Sequence, residues 1–182
     1  MGWTDSKPDW ERFIGALSPG PGEKILDLGA GAGNVAALVF QASNGAEIYA
    51  ADPRDERISR AKTEHPSIRS SVAGAEKLPY PDSNFDKVYT TMALHHFADL
   101  DASLREVARV LKRGGSFVIL EVEPRSRLGV LFRFFGRLRG EHMKMMSQEE
   151  LVKRIDALGL FRLRSSFIMD SGYLLLLTAG GA

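Results

Sequence analysis

Short apolar runs and amphipathic stretches alternate along this chain, and their two periods separate cleanly. Residues 24–28, 46–51, 86–92 and 116–120 read as strands, with 68–72 a weaker one. Helices are predicted over 8–17, 34–42, 55–64 and 101–111. In the last of these, Leu104, Val107, Ala108 and Leu111 recur at the helical period. Pro19-Gly20-Pro21-Gly22 closes the first helix, Pro66 stops the third, and Gly114-Gly115 ends the fourth. Ser147 and Glu150 have the spacing of a capping box that opens a helix over 148–158, with Gly159 beyond it. Segments 161–168 and 172–178 are two last strands, joined by a short turn containing Asp170 and therefore antiparallel. Strands alternating with helices predict an α/β fold, a parallel sheet covered on both faces. No repeat or low-complexity linker interrupts the pattern, so residues 1–182 are expected to form one domain. Residues 1–22 would be its N-terminal helix or lid, and 124–146 an insertion.

Composition narrows the function more by exclusion than by assignment. The 182 residues are 44% hydrophobic and 26% charged, ordinary for a globular protein. A net charge of +1 gives no global attraction to nucleic acid, so a nucleic-acid partner is not expected. There are no cysteines, which removes disulfides, thiolate metal sites and cysteine nucleophiles and suits a cytoplasmic protein. No run approaches the ~18 apolar residues that span a bilayer. Residues 1–6 lack the basic and apolar regions of a signal peptide. Gly2 and Ser6 fit the myristoylation pattern, which is short enough to occur by chance. His65 and His142 have no partners, and the adjacent His95 and His96 point apart, so no metal site is expected.

The chemistry begins at 25–34, a strand, a glycine turn and a helix start. Glycines permit the tight turn and let backbone N–H groups approach a ligand. Dinucleotide-binding folds use a similar turn, with G-x-G-x-x-G spacing. Here the glycines are Gly29, Gly31 and Gly33, and position 34 is Asn. Asp27, two residues before Gly29, would repel a pyrophosphate but suits a ligand bearing an ammonium. That argues against a nicotinamide-dependent oxidoreductase. Asp52 ends the second strand, where an acid can accept hydrogen bonds from ribose hydroxyls in either class of fold. Asp86 reads as structural, starting its strand.

These residues resemble the class I S-adenosylmethionine-dependent methyltransferases. The resemblance covers residues 20–123 and is carried by several segments in order: the 27–33 turn, Asp52-Pro53, 74–80, Phe85-Asp86, 94–97 and 109–116. Its nearest form is the small methyltransferases related to the ubiquinone/menaquinone biosynthesis C-methyltransferases. The resemblance implies a Rossmann-like, doubly wound seven-stranded sheet, mostly parallel, with one antiparallel strand in the C-terminal hairpin. It implies S-adenosyl-L-methionine as cofactor and S-adenosyl-L-homocysteine as product. Asp27 would receive the methionine ammonium, directly or through water. Gly29, Ala30 and Gly31 would line the methionine moiety, and Asp52, beside Pro53, would bind the ribose. Ala75 would meet the adenine edge, with Leu78 packing nearby, and Thr91 would face the donor near the reacting methyl. Two positions depart from the family pattern. Gly74 stands where an aspartate usually contacts the adenine amino group, with Glu76 as a possible substitute. Arg57 replaces an apolar residue and could stack on adenine instead.

His95 and His96 follow the fourth strand at the carboxyl edge, where doubly wound sheets place active sites. Either is a candidate general base, and either could simply pack or cap the next turn. A base is not obligatory. Orientation can contribute ~7–11 kcal/mol to a displacement, whereas a base typically adds ~10²–10⁴-fold, or about 3–5 kcal/mol. Residues 125–139 hold Arg125, Arg127, Arg133, Arg137 and Arg139 with no acid. Leu128, Leu131, Phe132, Phe135 and Leu138 fall among them at helical spacing. Such a segment can lie on an anionic membrane, cover a lipophilic substrate, or be an ordinary helix packing its stripe on the domain. Met143, Met145 and Met146 could extend that apolar surface. Trp3, Trp10 and Phe13 could line a lid or anchor the first helix. The expected activity is methyl transfer to a small, lipophilic acceptor. The alternative is a non-catalytic S-adenosylmethionine-binding sensor or partner subunit.

Overall fold

In the computed structural model, which describes residues 7–138, 144–169 and 171–180, helices and strands alternate as their periods dictate. The first half runs α1 (Lys7–Leu17), β1 (Lys24–Leu28), α2 (Asn34–Ala42), β2 (Glu47–Asp52), α3 (Asp55–Glu64), β3 (Arg69–Val72) and β4 (Phe85–Thr91). A 3-10 turn at Leu94–His96 leads to α4 (Leu100–Val110) and β5 (Leu111–Val122). Then come α5 (Arg127–Leu138), α6 (Gln148–Leu158), β6 (Phe161–Ile168) and β7 (Gly172–Ala179). The strands form one seven-stranded sheet in the order β3-β2-β1-β4-β5-β7-β6. β1 to β5 pair parallel, and β7 is antiparallel to both its neighbours. β6 therefore runs with the parallel set, and β7 is the single reversed strand of the sheet. That is the architecture the resemblance implied.

Alternation along each central strand fills both faces. Ile25, Tyr89, Val118 and Leu174 pack with Phe13 of α1 and Val39 of α2. Leu26, Val88, Ile119 and Leu175 pack with Leu104 of α4 and Leu151 of α6. Each such side chain contributes about 1.5–3 kcal/mol on burial. Phe13 meets Tyr89 edge-on at 5.4 Å, which anchors α1 to the sheet, and Trp10 packs on Phe13 within the helix at 5.5 Å. The capping box forms as predicted, Ser147 accepting from the Glu150 amide, and Gly159 takes the left-handed conformation after α6.

Two elements differ from expectation. α4 stops at Val110, not at the glycine pair, and Gly114 and Gly115 lie inside a β5 that starts at Leu111. The pairing with β4 shifts register between Phe85 and Lys87. A Cβ on Gly115 would sit 2.9 Å from the Asp86 and Lys112 carbonyls, so glycine is needed for this close passage. α5 is the second case. It seats itself through the buried Gly129 and Gly136, while Val130, Leu131, Phe134, Phe135 and Leu138 stay exposed. Of the stripe read from the sequence, Leu131, Phe135 and Leu138 are exposed, while Leu128 and Phe132 are half-buried toward the domain. Trp3, Arg139, His142, Met143, Asp170 and the Gly2/Ser6 pattern lie outside the described residues. No helix of the described residues is long and apolar enough to cross a membrane.

A guanidinium holds the loop that follows β3. Arg109 of α4 donates from Nε to Glu106 at 2.7 Å and from Nη1 to Asp82 at 2.7 Å. It also donates to the Tyr80 and Leu78 carbonyls at 2.9 and 3.2 Å. Glu106 in turn accepts from the Leu78 amide at 2.8 Å. Charge-assisted bonds of this kind are worth more than neutral ones. Replacing Arg109 with Met is expected to destabilise the fold by about 1–3 kcal/mol in urea unfolding, with an unchanged dependence on denaturant.

Candidate functional site

The order of strands reverses between β1 and β4, and connections leave those two strands on opposite sides. That divergence opens a crevice at the carboxyl ends of a doubly wound sheet. A cavity of about 390 Å³ occupies it. Gly29, where the glycine turn leaves β1, lines it beside Leu28. Gly29, Gly31 and Gly33 have φ of 77°, 57° and 81°, a region that side chains disfavour. A Cβ on Gly29 would also collide with the Ala93 methyl. The amides of Gly29 and Ala30 donate to the Ala51 carbonyl at 2.8 and 3.0 Å, which ties the turn to β2.

Asp52, buried at the end of β2, secures the same turn from its side chain. Oδ2 accepts from the Gly31 amide and Oδ1 from the Arg54 amide, each at 3.0 Å, with Arg57 Nη1 3.9 Å from Oδ2. A carboxylate accepts roughly four hydrogen bonds, so Asp52 retains capacity for a diol in the cavity.

Of the residues the sequence singled out, Gly29, Asp52, Pro53, Gly74, Ala75, Glu76 and His96 line the cavity, as does Arg57. Ala30 and Gly31 belong to the adjoining turn. Thr91 is half-buried at the end of β4, paired with Leu120, and is not among the lining residues. The wall past it is made by Phe97 of the 94–97 segment together with Met92, Ala93 and Ala98, which sequence reasoning did not pick out. Met92 has a left-handed φ of 52°, a strained setting for a bulky side chain. Glu76 spans two loops. Its Oε1 accepts from the Ala98 and Asp99 amides at 2.8 and 3.2 Å. Its Oε2 lies 2.9 Å from where a Cβ on Gly74 would be. The carboxylate from position 76 thus fills the space a side chain at 74 would take.

Asp27 sits within β1, two residues ahead of the turn, and is 1% exposed. Neither of its oxygens has a hydrogen-bond partner, and nor has the buried Tyr89 hydroxyl. Burial pushes its pKa up to about 7. The nearby Tyr89 hydroxyl pulls it down in part, the charge of Asp52 pushes it up further, and the nearby Ala36 amide lowers it slightly. A cationic group brought beside it would restore the ionised form and satisfy the orphaned acceptor.

The two histidines divide. His96 is exposed and lines the cavity. His95 is buried and its Nδ1 bonds Glu121 Oε1 at 2.9 Å, while the rings of His95 and His96 lie 4.2 Å apart. Glu121 Oε1 also accepts from the Val122 amide at 2.8 Å. Sequence reading passed over Glu121, although an acid inside the apolar run Ile119-Leu120-Glu121-Val122 was a usable signal. Among the described residues, no three His, Asp or Glu side chains gather where they could hold a metal ion.

Comparison with known proteins gives a consistent picture. The profile of a family described as a methyltransferase domain matches residues 26–119. The chain is 36% identical over 126 residues to a demethylmenaquinone methyltransferase of Thermus thermophilus, covering 66% of this chain and 57% of that protein. It is 37% identical over 120 residues to a ubiquinone/menaquinone biosynthesis C-methyltransferase of Shewanella oneidensis, covering 62% of this chain and 48% of that one. The chain thus spans about half the length of these curated relatives. The fold is similar to that of an S-adenosylmethionine-dependent methyltransferase from Mesorhizobium loti. The TM-score is 0.81 at 18% identity, over 96% of this chain and 99% of that one.

The state of Asp27 has a measurable consequence. Its folded pKa of about 7 lies above the ordinary 3.8, so the native chain keeps a proton that the unfolded chain loses. Stability in the absence of ligand should therefore fall as pH rises from about 4 to about 7 and then level, by up to about 4 kcal/mol. Urea unfolding of Asp27→Asn should lack this fall. Parallel pH profiles for the variant and the wild type would show that Asp27 is not a trapped neutral acid.

Proposed function

The chain belongs to the methyltransferase domain family, and on that premise we propose that it transfers a methyl group from S-adenosylmethionine to a small lipophilic acceptor. One observation carries the reading: a buried, unpartnered carboxylate, Asp27, lies just ahead of a glycine turn pinned by a second carboxylate, Asp52. This pair suits a ligand with an ammonium at one end and a ribose diol at the other, and it opposes a pyrophosphate. When bound, S-adenosylmethionine supplies a methyl already activated on a sulfonium.

The chain's own residues bind and orient. Asp27 takes the ammonium, and Gly29 to Gly31 admit the methionine moiety against the backbone. Asp52 accepts from the ribose hydroxyls. Ala75 presents its backbone to the adenine, with Glu76 in the place left by Gly74. Met92 and Ala93 wall the reacting end. Support for a lipophilic acceptor comes from the quinone-pathway names of the two relatives. A cytoplasmic location and no nucleic-acid partner belong to the same proposal.

Catalysis rests on positioning. Placing donor and acceptor in line is worth ~7–11 kcal/mol, more than a base of His96's exposure would add. Label transfer from methyl-tritiated S-adenosylmethionine to a demethylated quinone headgroup bearing a hydrocarbon tail tests the proposal. Turnover is expected, and His96→Ala should retain it within about tenfold. A loss of ~10²–10⁴ would make His96 the general base. Donor binding without transfer to any lipophilic acceptor would favour the sensor alternative.

A further inference from the structure

We propose that α5 is a docking surface that seats the protein on a lipid bilayer carrying anionic headgroups. The proposal rests on how α5 is packed and charged, and it stands apart from the methyl-transfer reading. At about 100° per residue, Val130, Leu131, Phe134, Phe135 and Leu138 fall within an arc of about 140°. They are 52%, 48%, 60%, 48% and 68% exposed. The opposite strip, Leu128, Gly129, Phe132 and Gly136, faces the body of the protein, and both glycines are buried. A Cβ on Gly129 would collide with the Glu123 carbonyl. The two buried residues of the helix are thus glycines, Leu128 and Phe132 beside them are only half-buried, and five large apolar side chains are left outside. An ordinary amphipathic surface helix does the reverse.

Charge identifies the occupant. Arg133 and Arg137 flank one edge of the apolar arc and Arg127 lies in the first turn, all three exposed, while Arg125, just before the helix, lies beside Glu149 and Glu150. Residues 125–139 hold five arginines and no acid in a chain of net charge +1, so the remainder is net acidic. Three of these arginines, Arg127, Arg133 and Arg137, lie on the same helix as the exposed apolar arc, and that helix carries no acid. An interfacial helix combines those two properties: aromatic and aliphatic side chains enter the headgroup boundary and arginines meet lipid phosphates. A second copy of the chain fits poorly, because a two-fold contact through α5 would set arginines against arginines. A nucleic-acid backbone would satisfy the arginines and leave the five apolar side chains in water. Twelve residues span only about 18 Å, so α5 lies on the bilayer and does not cross it.

Docking would place the cavity close to the lipid. Leu128 lines a small apolar pocket together with Met92, and Met92 also lines the large cavity. On the reading that the acceptor is lipophilic, α5 delivers it from the interface without passage through water.

Co-sedimentation with extruded vesicles tests this directly. Binding is expected to vesicles of equal parts phosphatidylglycerol and phosphatidylcholine, to weaken as salt is raised, and to be at least tenfold weaker with phosphatidylcholine alone. Reversing the charge with Arg133→Glu and Arg137→Glu should lower binding by at least about tenfold, since each arginine near such a surface is worth about 1 kcal/mol. Phe134→Ser with Phe135→Ser should do likewise while S-adenosylhomocysteine binding, measured without lipid, stays within twofold. A Phe134→Trp emission that shifts to the blue on adding the anionic vesicles supports insertion independently of the losses. The proposal is overturned if the wild type does not sediment with anionic vesicles or if the double variants bind as well as it does. It is also overturned if sedimentation velocity shows a dimer abolished by Phe134→Ser, or if duplex DNA binds in place of lipid. Because the S-adenosylhomocysteine titration is separate, failure of docking and failure of the methyltransferase reading remain distinguishable.

Discussion

The close approach of Gly29 to Ala93 sets the geometry from which the rest of the site follows. Without a side chain at 29, β1 can turn against the segment leaving β4, and the crevice between those strands becomes a bounded cavity. The Asp52 carboxylate then fixes the turn from the β2 side through the Gly31 amide. Glu76 fixes the far wall through the Ala98 and Asp99 amides. Arg109 holds the loop between them against α4. Each anchor is a carboxylate or guanidinium bonded to backbone, so these side chains hold the main-chain segments that border the cavity.

That arrangement leaves a deliberate electrostatic imbalance. Asp27 and Asp52 stand on neighbouring strands on the same side of the turn. One is satisfied by amides and the other by nothing. Burial makes the unsatisfied one a poor anion, its pKa raised to about 7. A site of this kind is destabilising until a cation arrives beside Asp27.

Much of this was legible in the sequence because it is local. Strand and helix periods, the capping box at Ser147 and the glycine turn are encoded within a few residues of one another. Asp27 and Asp52 were legible from their place at strand ends beside that turn. What escaped has its cause far along the chain. Glu121 matters through His95, 26 residues away, and Arg109 through a loop 27 to 31 residues away. Met92 and Ala93 line the cavity only because β4 ends opposite the glycine turn, and no periodicity records that. The packing of α5 was hidden for a different reason. An apolar stripe says that a face avoids water, but Gly129 and Gly136 decide which face reaches the domain, and glycines carry no hydrophobic signal.

The central claim is that the cavity recognises an ammonium and a ribose together. Calorimetric titration with S-adenosylhomocysteine beside NADH, on wild type and Asp52→Ala at pH 7.5, tests it most directly. Binding of S-adenosylhomocysteine alone is expected, in the micromolar range and weakened at least about tenfold by the substitution, as loss of a charged hydrogen-bonding partner implies. Binding of NADH, or no binding of S-adenosylhomocysteine, would contradict it.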